Sequence, residues 1–379
     1  MTLAPAPLAL SADSSASADS AESTDSTDSA EGTTLAAEVM AWQRHHGRHG
    51  LPWQGTRDPY RVWLSEVMLQ QTQVSVVLDY FARFLQRYPS VADLAAAPLD
   101  DVLAVWSGLG YYSRARNLHR CALVVMAQHA GSFPASSAAL AELPGIGRST
   151  AAAIAAFCFG ERAAILDDNV KRVLTRALGF TGDLAVARQE RALWDRAQAL
   201  LPQAGMDVYT QGLMDLGATL CLARRPACSR CPLQARCVAH AQGTPENYPV
   251  KTRKLRRTQR ENGWLWVVRG PHMWLVQRPA QGVWAGLWSL PEFASLPAMQ
   301  AVLAAWPGEG ERLSSLRHTL THFDWLLHPL RWRLPGDDSA AVAVQGLIDA
   351  AGGAGRWVLP AQALQMGLPA PLRKLLLAG

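Results

Sequence analysis

The chain has 379 residues, 49% of them apolar, and a net charge of +5 at neutral pH. That length allows two or three domains with full cores, and no apolar run reaches the ~18 residues that a membrane span needs. No basic segment leads into an apolar stretch near residue 1, so no secretory signal is expected. The reading is cytoplasmic, where thiols stay reduced.

Residues 1–34 are mostly Ser, Ala, Asp and Thr, with six acids and no Lys or Arg. They bury too little to offset ordering entropy, so a disordered acidic tail is expected. With that tail's −6 set aside, the net +5 becomes +11, which suggests a polyanionic partner, above all nucleic acid.

From Leu35 to His240, apolar residues recur at helical spacing in Val62–Val74, Val76–Tyr88, Leu99–Trp106, Leu118–His129, Thr150–Phe159, Val170–Leu178 and Tyr209–Leu220. Gly and Pro mark the breaks, as at Pro89, Gly108, Gly110 and Pro134. Lys251, Arg253, Lys254, Arg256, Arg257 and Arg260 then form a basic stretch, either a solvated spacer or a strip along phosphates. Beyond Gly263 the pattern turns to strands. Trp264–Val268 and Met273–Gln277 flank Gly270-Pro271 as a hairpin. Nine of the fourteen tryptophans lie there, enough aromatic area for a second, α+β core.

Cys221, Cys228, Cys231 and Cys237 follow a C-x6-C-x2-C-x5-C spacing among Arg224, Arg225, Pro226, Arg230 and Pro232. Such neighbours build no core. Four thiolates near one point suit a metal centre, a [4Fe–4S] cluster or tetrahedral zinc, and the spacing alone does not choose between them. Disulfides fit a reducing compartment poorly.

Three other segments carry chemistry. In Leu143–Thr150, Gly145 and Gly147 permit a tight turn that aims backbone N–H groups outward, a phosphate site at the start of a helix. In Ile165–Val173, Asp167 or Asp168 is placed to cap a helix, leaving the other free to face a cleft. In Tyr60–Val74, Glu66 is a lone carboxylate within an apolar helix. It is either exposed beside Gln70 and Gln73 or turned into a cavity, where desolvation would make it a general acid.

Leu51-Pro52-Trp53, Trp63–Thr72, Gly108–Leu118, Leu143–Thr150, Leu166–Val173 and the cysteine spacing together resemble the A/G-specific adenine DNA glycosylases, the MutY type of the helix-hairpin-helix base-excision repair superfamily. The resemblance covers roughly residues 35–379. It implies a mainly α helix-hairpin-helix glycosylase fold with an iron–sulfur loop, followed by an α+β Nudix-like C-terminal domain. It divides the chain into an iron–sulfur helical domain (35–56 and 162–244), a six-helix domain (57–161), a basic linker (245–262) and the Nudix-like domain (263–379).

The resemblance also implies a reaction: hydrolysis of the N-glycosidic bond of adenine mispaired with 8-oxoguanine or guanine in double-stranded DNA, by a monomer. Glu66 would protonate the flipped purine and Asp167 would stabilise the oxocarbenium ion, oriented by Asn169. An apolar setting for Glu66 and a helix N-terminus for Asp167 are expected to push their pKa values apart. Gln71 and Tyr111, otherwise a surface glutamine and a core tyrosine, match residues that enter or stack on the duplex. Gly145, Gly147, Ser149 and Lys171 fall in the DNA-binding segments. The cysteines become ligands of a [4Fe–4S] cluster that holds a basic loop against phosphates.

Two departures stand out. In Arg317–His322, the loop expected to read the lesion, the family's usual Phe-Ser-His is here Leu320-Thr321-His322, and Asp168 stands where the family usually has Gly. The Nudix motif begins with Gly286 and Glu292 but has Gln300-Ala301 where Arg-Glu is expected, so binding rather than hydrolysis is expected of that domain. One rival is an endonuclease III-like glycosylase/lyase, which needs a Lys amine where this chain has Ser149, although Lys171 remains a slow trap for an abasic sugar. Another is a non-catalytic iron–sulfur protein that binds damaged DNA, which the presence of both Glu66 and Asp167 disfavours.

Overall fold

The computed structural model describes residues 25–252, 256–336, 346 and 355–378, with the side chains of the first helix from Leu35 onward. The acidic tail therefore falls, for residues 1–24, outside the described residues. Helix α1 (Asp25–His46) starts inside the stretch expected to be disordered, extending from a face where Leu35, Ala36 and Val39 are buried.

Two cores organise the helical half. The first is built by α2 (Pro59–Leu69), α3 (Val74–Arg87), α4 (Val91–Ala96), α5 (Leu99–Val105), α6 (Ser113–Gln128), α7 (Ser137–Ala141) and α8 (Arg148–Ile154). Trp63, Phe81, Phe84, Leu94 and Trp106 lie at its centre, each contributing roughly 1.5–3 kcal/mol by burial. The second gathers α1, α9 (Asp168–Leu178), α10 (Ala187–Ala199) and α11 (Met206–Thr219) around Val39, Val170, Leu193, Tyr209 and Leu216. Helix α8 belongs to both: Ala151 and Ile154 face the first core, Ala152 and Ala153 the second. A helix clad in alanine can be packed closely on two sides. It runs on into a π-helical turn, Ala155–Phe159.

Starts and stops follow local chemistry. Asp58 caps α2 and Pro59 occupies its first turn. That helix ends at Leu69, short of the Val74 expected, because the chain reverses at Gln71. Helix α10 was missed in the sequence, since Leu193, Trp194 and Ala197 sit thinly among charges.

The C-terminal region forms a mixed sheet of β1 (Thr258–Arg269), β2 (His272–Gln277), β3 (Trp288–Ser289), β4 (Glu292–Phe293), β5 (Glu309–Arg312), β6 (Leu316–Thr319), β7 (Phe323–Arg333) and β8 (Gly355–Val358). Its main path is β3-β2-β1-β7-β5, with β1 and β7 parallel from Thr258↔Phe323 to Val268↔Arg333. The expected hairpin is β1–β2, turning at Gly270. Strand β1 begins at Thr258, so the end of the stretch read as a linker belongs to the sheet. There Arg257 donates to Asp324, and Arg260 lies over the Phe323 ring.

This domain is docked on α5 and α6. Asp100 accepts from Gln277 at 2.9 Å and from Trp288 Nε1 at 3.1 Å. Tyr112 donates to the Leu368 carbonyl and Arg116 to that of Ala285. The remaining Nudix-motif acid, Glu292, is held by Arg278 at 2.6 Å rather than in a carboxylate cluster. Among the described residues no helix is long and apolar enough to cross a membrane.

Candidate active site

Where the two cores face each other the molecule opens into a cleft of about 1520 Å³. Glu66 enters from α2 on one side, and Asp167, the cap of α9, from the other. Glu66 is partly buried and has no hydrogen-bond partner among the described residues. Burial first, and the charge of Asp167 second, push its carboxyl up to about 8. The cavity reading of Glu66 thus prevails over an exposed polar face.

Asp167 does both jobs that the sequence divided between two acids. Its Oδ1 accepts the Val170 N–H at 2.7 Å, and the same carboxylate lines the cleft. Its pKa is raised, chiefly by burial, with Asp168 adding to the rise while the cap bonds and Arg172 oppose it. The expectation that a helix N-terminus would draw it down is therefore corrected: desolvation outweighs the two backbone bonds. Asp168 is exposed, so the extra acid is accommodated in solvent.

Asn169 is not bonded to Asp167 through its side chain. Its Oδ1 accepts from Arg172 Nη2 at 2.8 Å, and only its backbone N–H serves Asp167. Arg172 also donates to the carbonyls of Gly217 and Cys221, each at 2.6 Å. Gly217 is needed here, since a Cβ on it would stand 2.5 Å from that of Asn169. Ser149 Oγ accepts the Leu166 N–H at 3.0 Å, tying the hairpin to the turn before Asp167.

Lys171 lines the cleft and is ion-paired with Glu190. Gln71 lines it too, at an exposed left-handed position, φ 55°. Tyr111 does not line the cleft. It is 50% exposed with φ 47°, so it is no core tyrosine. Between these two loops lies Arg114, 7% exposed, a residue the sequence did not single out. Its guanidinium donates to the carbonyls of Val67, Met68 and Gln70 at the end of α2, to Thr72 Oγ1, and to the carbonyls of Leu109 and Gly110. It satisfies carbonyls that a helix end leaves open. Burial lowers its pKa to about 10, which keeps it charged at neutral pH. Such charge-assisted bonds, roughly 1.5–3 kcal/mol each, offset the ~1–3 kcal/mol cost of each left-handed residue.

Gly145 and Gly147 are both exposed on the hairpin but differ in need. Gly145 has φ 78° and abuts Asn117, whereas Gly147 is extended at φ −83° with open space where a side chain would go. Of the two glycines read as permitting the tight turn, only Gly145 therefore uses a positive φ. What its lack of a side chain leaves is room for a ligand to approach the backbone. Thr321 and His322 lie away from the cleft, exposed at the β6–β7 turn. Leu320 is partly buried against the apolar cluster that the first core shares with the C-terminal domain. Arg257, Arg317 and Thr319 all bond Asp324 beneath this turn.

Cys221 directly follows Leu220, the cap of α11, and Cys237 precedes the short helix Val238–Ala241. All four thiols of the loop are free and partly buried. Burial raises Cys228, Cys231 and Cys237, and neighbouring cysteines of the set raise them further. Arg176, 2% exposed, donates to Cys221 Sγ at 3.3 Å and to the carbonyls of Leu222, Ala223 and Pro245. Among the described residues no three His, Cys, Asp or Glu side chains stand in metal-binding geometry. Four free, partly buried thiols in one loop are nonetheless a donor set that suits a thiolate-bound cluster. Arg224, Arg225 and Arg230 of the loop are exposed.

Residues 64–198 match the HhH-GPD superfamily of base excision DNA repair proteins, and residues 263–378 match the NUDIX domain. Fold and cleft thus define a base-excision repair glycosylase with a Nudix-like domain. The adenine DNA glycosylase of Buchnera aphidicola subsp. Acyrthosiphon pisum is 36% identical over 304 residues, covering 78% of this chain and 86% of that protein. The adenine DNA glycosylase of Homo sapiens is 32% identical over 360 residues, covering 77% of this chain and 65% of that one. The chain belongs to the adenine DNA glycosylase family. A thermostable thymine-DNA glycosylase of known structure superimposes with a TM-score of 0.51 at 28% identity, covering 57% of this chain and 100% of that one.

Proposed function

We propose that this chain releases adenine paired with 8-oxoguanine or guanine in duplex DNA, as a monofunctional glycosylase. A stacked base is out of reach of any side chain, so the adenine must swing into the cleft. The protonated Glu66 carboxyl gives its proton to the purine ring as the bond from ring nitrogen to sugar C1′ breaks. The bonding pair leaves with adenine, and positive charge builds on the sugar. Asp167 stabilises that charge. The cation in turn favours the ionised carboxylate, so the attraction is strongest when the bond is breaking. Water then adds to C1′ and yields a proton to Glu66, leaving free adenine, an abasic site and the acid restored.

The observation that carries this reading is a carboxyl pushed up to about 8 in the same cleft as a second carboxylate at a helix cap. Asn169 contributes through its backbone N–H to Asp167. Gln71 and Tyr111 contact the duplex, Gly145, Gly147 and Ser149 belong to the hairpin that meets a phosphate, and Thr321 with His322 reads the oxidised guanine. Cys221, Cys228, Cys231 and Cys237 would hold a [4Fe–4S] cluster, which would stiffen the loop bearing Arg224, Arg225 and Arg230. Bond cleavage needs only the two carboxylates. Lys171, paired with Glu190, is not presented as a free amine, which supports hydrolysis over lyase chemistry.

The test is a duplex with one 8-oxoguanine:adenine pair, incubated with the protein and treated with alkali. Strand scission at the adenine, without scission before alkali, is expected. An adenine strand that survives alkali intact overturns the reading.

A further inference from the structure

We propose that Arg114 is a positioning residue that joins the Gln71 loop and the Tyr111 loop into one wedge, so that the two side chains enter the duplex as a unit. The inference rests on the reading of Gln71 and Tyr111 as duplex contacts.

Four of the six oxygens bound by Arg114 come from the first loop and its approach (Val67, Met68, Gln70, Thr72), and two from the second (Leu109, Gly110). Among the described residues no other hydrogen bond links Gln70–Thr72 to Leu109–Tyr111. Both Gln71 and Tyr111 sit in left-handed backbone, a state that non-glycine residues keep only when their surroundings impose it. The guanidinium lies 5.5 Å from the centre of the Tyr111 ring, which limits the tilt of that side chain. The same turn is anchored behind: Tyr112 and Arg116, flanking Arg114, both donate to carbonyls of the C-terminal domain. A planar fork holds donors on two nitrogens at fixed separation, one toward each loop, whereas an ammonium offers three donors at a single point on a flexible stem. The pair thus moves together or not at all, and a one-sided insertion is excluded.

Arg114→Lys keeps the charge and most of the stem but loses the fork. The probe is a duplex carrying 2-aminopurine opposite 8-oxoguanine, whose fluorescence rises when the base leaves the stack. The wild-type protein is expected to raise it, and R114K to raise it at least tenfold more slowly while binding undamaged duplex unchanged. The second measurement is a cycle of Gln71→Ala and Tyr111→Ala. In the wild type each substitution should remove most of the effect of the other, and in R114K the two should act independently. Equal extrusion rates in R114K and wild type overturn the role of Arg114 while leaving the duplex-contact reading standing. If R114K does not fold, additive effects of Q71A and Y111A in the wild type overturn it. A wild-type protein that leaves 2-aminopurine stacked overturns both readings.

Discussion

Glu66 and Asp167 share one cleft, and the negative charge of Asp167 adds to burial in pushing the Glu66 carboxyl up to about 8. The acid is therefore protonated at neutral pH, as a proton donor must be. Adenine release under single turnover should hold steady near neutrality and fall as pH rises through about 8. It should also fall in acid, as Asp167 takes up a proton at a value above the ordinary carboxylate range. Glu66 carries a sign for folding too. Its pKa is higher folded than unfolded, so its contribution is complete below about 4.5 and lost as pH rises through about 8. Glu66→Gln should abolish turnover yet melt higher than wild type at pH 9 and equally at pH 4, by thermal melting at both.

Asp167→Asn separates chemistry from capping. Asn caps a helix about as well as Asp, so α9 should persist and melting should change little. The cation-facing charge is lost, and single-turnover adenine release should drop at least ~100-fold. Affinity for the mismatched duplex, measured by anisotropy, should remain.

Two glycines make opposite predictions. Gly147→Ala meets nothing within 4 Å and needs no positive φ, so melting should be unchanged while a crowded phosphate approach weakens DNA binding. Gly217→Ala drives a Cβ to 2.5 Å from that of Asn169, forcing α9 and α11 apart. The cost should be about 1–3 kcal/mol, a melting temperature lower by several degrees, with slower adenine release as Asn169 and Arg172 shift.

The arginines behind and on the cysteine loop should divide the same way. Arg176→Ala removes three charge-assisted bonds to the carbonyls of Leu222, Ala223 and Pro245, roughly 1.5–3 kcal/mol each, and should lower both melting temperature and bound iron. Arg224→Ala or Arg230→Ala, both exposed, should leave melting and iron unchanged. Each should weaken DNA binding evenly across sequences and reduce its salt dependence by about one counterion.

What the sequence determined by itself is what local pattern encodes. Helical periodicity located α2, α3, α6, α9 and α11, and the Gly-Pro turn with its apolar flanks located the β1–β2 hairpin. The acids, the hairpin glycines and the four cysteines stood out because their types are unusual for their neighbourhoods. Tertiary structure decided everything that depends on distance between segments. Whether Glu66 faced water or a cavity turned on the second core lying opposite α2. Whether Asp167 capped or catalysed dissolved once one carboxylate lined the cleft from the cap position itself. The direction of its pKa shift followed from burial, which opposes charge over the whole cleft, whereas its two cap bonds act only locally. Arg114 was invisible beforehand because nothing in Ser113-Arg114-Ala115 distinguishes a solvated arginine from one that joins two loops far apart in sequence. Side-chain types reveal what chemistry is available; only packing brings charges and donors within reach of one another, and desolvation then sets how strongly they act.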